Sequence, residues 1–157
     1  MTDLHRGATY VETIGGLSKR SLKSNGEKAM NKISVGTEVM RPFLPSKDFD
    51  VSKRFYEALG FSKVLDGEVA IFEMGSSSFI LQQYFQKEWA ENFMMQLMVD
   101  DLDSWWNHIS ALGLPTQFGV SPPKAPAMQP WGLRIAYVTD PSGVLWHVAQ
   151  RPSSDDA

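Results

Sequence analysis

Histidine, serine, carboxylate and aromatic side chains are the residues in this sequence whose types could do chemistry, and their spacing narrows that chemistry. The 157-residue chain has three histidines (His5, His108, His147) and no cysteine. The missing thiols exclude disulfides, thiolate metal sites, iron–sulfur clusters and a cysteine nucleophile. Ser76, Ser77 and Ser78 form a run without an acid–base partner that spacing identifies, and no Gly-x-Ser-x-Gly elbow presents a nucleophile. GEKAMNK lacks the glycine frame of a phosphate loop. Asp100, Asp101 and Asp103 look like a carboxylate cluster for acid–base work, but the simpler account is that Asp101 caps a helix and the others favour its positive end. No residue is assigned as catalytic. What the chain has in quantity is polarisable apolar surface, five Trp, nine Phe and eight Met, which stacks on flat heteroaromatic or cationic molecules. Trp131, in a Pro-rich loop, and Trp89, in a crossover, are required by no obvious core period. They are the first candidates for ligand contact, against the competing use of packing between subunits; Phe93 and Trp146 come next.

The elements that must position these residues are written twice. Asp48 opens the amphipathic segment DFDVSKRFYEAL, where Val51, Phe55, Ala58 and Leu59 recur at helical spacing before Gly60. Asp101 opens DLDSWWNHISAL, with Leu102, Trp105, Trp106, Ile109 and Leu112 as its stripe before Gly113. Asp48 to Asp101, Leu59-Gly60 to Leu112-Gly113 and Phe61 to Leu114 all keep one offset of 53 residues. Extended stretches, VMRPFLPS and FMMQLMV, precede the two helices. Three short strands are expected after each: FSKVL, EVAIFEM and SFILQQYF, then LPTQFGV, LRIAYVT and VLWHVAQ. The pattern is therefore α+β, two tandem βαβββ modules at about 38–86 and 92–151. The second copy carries an extra segment, SPPKAPAMQPWG, whose prolines argue against regular structure and which serves either as a flap over a ligand or as a solvated hairpin extension. His108 takes the place of Phe55 in the repeat and is expected partly packed between helix and sheet.

Charge and composition restrict the partners. Residues 1–32 read as a flexible N-terminal extension and 153–157 as a polar C-terminal tail, leaving 33–152 as the folded domain. The first thirty residues hold five basic and three acidic side chains, so they are net +2 and the rest is net -5. An overall charge of -3 and a pI near 5.6 give no broad basic field for nucleic acid. No apolar run reaches the roughly 20 residues of a membrane helix, and the N-terminal stretch lacks the apolar centre of a signal peptide. A soluble cytoplasmic protein is expected, without nucleic-acid or membrane partners.

The strings LPSKDFDVSKRFYEALGF, VDDLDSWW and QPWGLRIAYVTDPSGVLWHVAQ resemble the glyoxalase, bleomycin resistance protein and extradiol dioxygenase (vicinal oxygen chelate) superfamily over roughly residues 34–152, and most closely its bleomycin resistance proteins. The resemblance implies paired modules curling a mixed sheet around a cavity, commonly in a homodimer. It also implies metal positions on the first and last strands of each module, which map to Arg41, Met94, Gln82 and His147 in this sequence. Arg41 has no free acceptor and Met94 is a soft thioether, so only His147 and Gln82 remain as conceivable ligands; Gln96, two residues beyond Met94, could face the same cavity, and a His/Gln/Gln set carries no anion. No metal and no other cofactor is expected.

The function this implies is metal-independent capture of an aromatic or cationic small molecule in a dimer-associated pocket. Its contacts are drawn from Trp131, Trp89, Phe93, Trp146, His147, Gln82, Gln96 and Arg41, and Asp66, Glu68, Glu73, Glu88 and Glu91 give an acidic bias. The alternative is a lyase, isomerase or dioxygenase whose divalent metal His147 and Gln82 would help hold. Because no marker of either module precedes residue 31, deletion of residues 1–30 is expected to leave the melting temperature of the domain unchanged, as calorimetry of the truncated chain can check.

Overall fold

Both modules start where an extended apolar stretch runs into a helix-capping aspartate. The computed structural model describes residues 38–152; the extension and the tail expected from the sequence lie outside the described residues. In the first module, prolines 42 and 45 hold the opening strand β1 to Phe43–Pro45. Asp48 then caps helix α1 (Phe49–Leu59), its carboxylate accepting the Val51 N–H at 3.0 Å. Gly60 ends the helix at φ 104°, a left-handed turn that a side chain would strain. Strands β2 (Ser62–Asp66), β3 (Val69–Met74) and β4 (Ser77–Gln82) follow. A one-turn helix α2 (Lys87–Ala90) crosses to the second module, whose β5 (Met94–Val99) leads to α3 (Leu102–Ala111), capped by Asp101 on the Ser104 N–H at 2.9 Å. After α3 come α4 (Leu114–Phe118), β6 (Lys124–Met128), β7 (Arg134–Thr139) and β8 (Leu145–Gln150). Among the described residues no helix is long and apolar enough to cross a membrane.

The modules form two four-stranded mixed sheets with equivalent orders, β1-β4-β3-β2 and β5-β8-β7-β6. In each sheet the first and last strands of the module lie parallel, and the remaining pairs are antiparallel. Strand alternation gives each sheet two faces. The inner faces meet: Phe72, Phe79 and Leu81 from the first sheet and Val138, Trp146 and Val148 from the second share one core with Phe55, Tyr56, Leu102 and Ile109 of the helices. The Phe72 and Phe79 rings stack at 5.4 Å, and Tyr56 sits between Phe79 and Trp146 at 4.7 and 5.8 Å.

Tyr56 and Asp140 form a polar node inside this core, with relative exposures of 0% and 2%. The phenol donates to Asp140 Oδ2 at 2.6 Å, and the Ser142 and Val144 N–H groups donate to Oδ1 at 2.8 Å each. Trp146 Nε1–H donates to the Tyr56 oxygen at 3.3 Å, and Ser142 Oγ accepts the Lys47 N–H at 2.9 Å. The turn after Asp140 closes at Gly143, with φ 99°, where a Cβ would come within 3.0 Å of Glu91 Cγ. Burial, and then the adjacent carboxylate charge, push the Tyr56 phenol well above its ordinary pKa, so it remains the donor. Burial also raises Asp140 above 3.8 despite its hydrogen bonds. The folded chain thus holds that proton more tightly than the unfolded chain, and this carboxyl's contribution to stability is fullest below its unfolded pKa and falls as pH rises through its folded one.

The two capped helices and seven of the eight strands lie where the sequence places them, but four details differ. The buried face of α1 is Ser52, Phe55, Tyr56 and Leu59 rather than Val51, Phe55, Ala58 and Leu59, because Asp140 gives the Tyr56 hydroxyl a partner inside. LPTQFGV is not a strand: Pro115 lies in the first turn of α4, Leu114 is fully buried, and the Phe118 ring meets Phe55 at 5.4 Å. The missing strand comes instead from the Pro-rich segment as β6. As an edge strand it loses no ladder bond at Pro126, and its register slips between Lys124 and Ala127. His108 is exposed, with Nε2 3.2 Å from the Ala58 carbonyl oxygen.

The polar node carries a prediction. Tyr56→Phe keeps the ring packing but leaves the buried Asp140 carboxylate one donor short, so unfolding free energy is expected to fall by about 1–3 kcal/mol. Urea titration should show a lower midpoint at an unchanged slope.

Candidate functional site

The faces that point away from the core are where side chains remain free to meet a ligand. On the second sheet, cross-strand register places Gln96 beside His147, His147 beside Tyr137, and Tyr137 beside Lys124, one row over all four strands. The His147 and Tyr137 rings meet edge to face at 4.7 Å and 81°. His147 Nε2 is enclosed and has no hydrogen-bond partner. Burial lowers the His147 pKa below 6.5, so the imidazole is neutral at neutral pH. Alongside runs a second row, Met94, Leu145 and Thr139. Lys124, Tyr137, Thr139 and Leu145, with Ser121 and Pro122, line a cavity of about 310 Å³. A larger cavity, about 600 Å³, shares Ser121, Thr139 and Leu145 and extends to Lys47, Phe85 and the Asp140–Gly143 turn.

On the first sheet the outward residues include Phe43, paired with Ile80, and Gln82, which lies between Pro45 and Val69. Arg41 reaches Glu73 at 3.2 Å. In the crossover, Trp89 contacts Tyr84 and Phe93, with ring centroids 5.8 and 6.0 Å apart.

The structure therefore sorts the residues singled out from the sequence. Gln96 and His147 are brought side by side, as are Trp89 and Phe93. Arg41 and Gln82 share the outer face of the first sheet but stand in different rows, and His147 belongs to the second sheet. Trp131 is 60% exposed in the β6–β7 turn and makes no ring contact among the described residues. Trp146 faces inward, 3% exposed on Tyr56, although its edge borders a separate cavity of about 350 Å³ with Gln96 and Ser78. Tyr137, Thr139 and Lys124 went unmarked by the sequence reading. The alternation in LRIAYVT put Tyr137 and Thr139 on one face, but only strand register shows that His147 shares it.

Ion pairing reduces the acidic bias expected from the sequence. Asp66 contacts Lys53 at 3.0 Å and Lys63 at 2.8 Å, Glu73 contacts Arg41, and Glu91 lies 3.9 Å from Lys87. The metal test also has a chemical answer. Gln82 and His147 lie on different sheets, the neighbours of His147 are an amide and a phenol, and the two first-strand positions hold a guanidinium and a thioether. Among the described residues no group of three His, Asp or Glu side chains converges. Such a donor set does not fit a hard divalent cation.

Residues 38–148 match the pattern of the Glyoxalase/Bleomycin resistance protein/Dioxygenase superfamily. The chain belongs to that superfamily. It is 32% identical over 120 residues to the bleomycin resistance protein of Klebsiella pneumoniae, which covers 73% of this chain and 93% of that relative. The crystal structure of a bleomycin-binding protein complexed with bleomycin superposes with a TM-score of 0.64 at 32% identity, covering 74% of this chain and all of that one. A bleomycin resistance determinant encoded on the transposon Tn5 superposes with a TM-score of 0.62 at 28% identity, over 74% of this chain and all of the other. The two-module α+β architecture is thus the fold of the bleomycin-binding protein.

In this superfamily member, His147 is expected to titrate below 6.5 by NMR of its ring protons. Since its unfolded pKa is the higher one, the stability it contributes is present above about 6.5 and is lost as pH falls through the folded value. His147→Gln should remove that segment of the stability profile.

Proposed function

We propose that the protein captures a flat, hydrogen-bonding small molecule of the bleomycin class stoichiometrically, without a metal and without turnover, in the cytoplasm. The observation that carries this reading is the row Gln96, His147, Tyr137 and Lys124 on an open sheet face. It combines a neutral acceptor, an amide, an aromatic wall and one cation beside a cavity of about 310 Å³. The relationship to bleomycin resistance proteins points the same way, because it extends over nearly the whole length of the curated relative. Stacking and directed hydrogen bonds contribute more than net charge in this reading, since ion pairs occupy Asp66, Glu73 and Glu91, three of the carboxylates that would otherwise bias the surface.

A second copy of the chain completes the pocket in this reading. Phe43 is 50% exposed, Leu65 45% and Met94 64%, all on outer sheet faces, and Met128 and Trp131 project from the adjoining hairpin at 69% and 60%. Apolar side chains grouped on two sheet faces favour burial against a like surface. Trp131, which the core does not use, then contacts the ligand or the partner.

Isothermal titration with metal-free bleomycin in the presence of a chelator tests the proposal. Saturable binding near one molecule per chain is expected, with quenching of tryptophan fluorescence and a dimer by light scattering. Removing the aromatic contact in Trp131→Ala should weaken binding roughly threefold to thirtyfold, as loss of one stacking contact does. Absence of binding, together with metal-dependent conversion of a small carbonyl substrate, would replace capture by an enzymatic role.

A further inference from the structure

Two buried donors without partners lie close together on the outer face of the first sheet. Arg41, just before β1, forms its ion pair with Glu73 on β3, yet β4 lies between those strands. The guanidinium therefore has to cross β4, and the residue of β4 that pairs with Glu73 is Ser78. Continuing the parallel register from Phe43 and Ile80 places Arg41 itself beside Ser78. A serine is small enough to let the arginine pass. In this arrangement Arg41 Nε and Ser78 Oγ are both enclosed, and neither has a hydrogen-bond partner. An unmatched buried donor is costly, and two on one short path are an unsatisfied pair.

We propose that Arg41 Nε–H and Ser78 Oγ–H together form a subsite for one neutral carbonyl oxygen, of amide type, on the bound molecule. A carbonyl oxygen has two lone pairs and accepts both donors at once. Neutrality follows from Glu73: the carboxylate 3.2 Å from the guanidinium already offsets its charge, and a second anion would be repelled by it. The surroundings suit a flat amide. Phe43, half exposed, and Ile80 flank the donors on the same face, the Arg41 and Glu73 side chains are 31% and 40% exposed, and Ser78 lines the cavity of about 350 Å³. The subsite deepens the capture reading by naming a ligand group, but its donors stand without that reading.

The test uses the full chain and two probes. With 15N-labelled arginine, the Arg41 Nε–H resonance is expected to move progressively with added N-methylacetamide and to move less with acetate at equal concentration. In titrations with bleomycin, Arg41→Lys keeps the charge but loses the Nε donor and should weaken binding about tenfold, and Ser78→Ala about twofold to tenfold. Ser78→Ala should leave the melting temperature of the free protein unchanged or raise it, because an unpaired buried hydroxyl is removed; a purely structural serine would lower it. Failure of both probes to move the Arg41 resonance overturns the subsite, as does a Ser78→Ala variant that loses stability while binding is unchanged. Movement with N-methylacetamide but no binding of bleomycin overturns capture of that compound and leaves the subsite standing.

Discussion

The hydrogen bond from Tyr56 to Asp140 is the constraint on which the arrangement of the two modules depends. It joins the helix of the first module to the last turn of the second, at a place where neither group reaches water. Once that phenol is committed, Trp146 has to face inward to donate to it, and the residue after it in the strand, His147, faces outward. The orientation of the candidate site is thus set from inside the core. The same carboxylate accepts two backbone N–H groups of its own turn, so the turn, the tyrosine and the tryptophan form one unit.

Covering one face of each sheet so completely leaves the other face without a partner in the chain. Four strands per module and one main helix suffice for a single buried layer, and the helices, together with the opposite module, occupy the inner faces. The outer faces retain rows of mixed character: amide, imidazole, phenol and amine on one sheet, guanidinium, hydroxyl and aromatic side chains on the other. A surface of that composition is adapted to recognition, with apolar contact for the body of a ligand and a few directed polar groups for its orientation. It is poorly adapted to holding a hard cation, and that fits the proposed role in capture better than metal-assisted chemistry.

In the proposed capture role, paired charges would direct recognition toward shape. The carboxylates that an inspection of composition would place in an acidic groove are largely held by Lys53, Lys63, Lys87 and Arg41. Exposed pairs of this kind add little stability, but they reduce the field that a cationic ligand would otherwise meet. What remains near the row of His147 is a neutral imidazole and the amine of Lys124, so in the proposed capture role hydrogen-bond geometry and stacking would carry the selectivity.

Much of the architecture was legible in the sequence because it depends on local chemistry. Asp48 and Asp101 cap helices through their own side chains, Gly60 supplies a left-handed turn, and the 53-residue offset repeats the module without reference to distant contacts. Gln96 and His147 were also singled out from the sequence as residues able to face one cavity, but their pairing on adjacent strands comes from register. Long-range pairing decided the rest. A tyrosine is drawn into the core only because Asp140 waits 84 residues away, and Trp146, a candidate ligand contact from the sequence, serves that same node while its edge borders a cavity. A Pro-rich segment becomes strand β6 only because the sheet edge requires no N–H from Pro126. The partnership of Arg41 with Glu73 across Ser78 exists only once β4 has been inserted between β1 and β3. The sequence by itself determined the modules and their caps, since those are satisfied within a few residues. Only tertiary structure decided which side chains share a face and which polar atoms are left without a partner, since strand register and burial are properties of segments far apart in the chain.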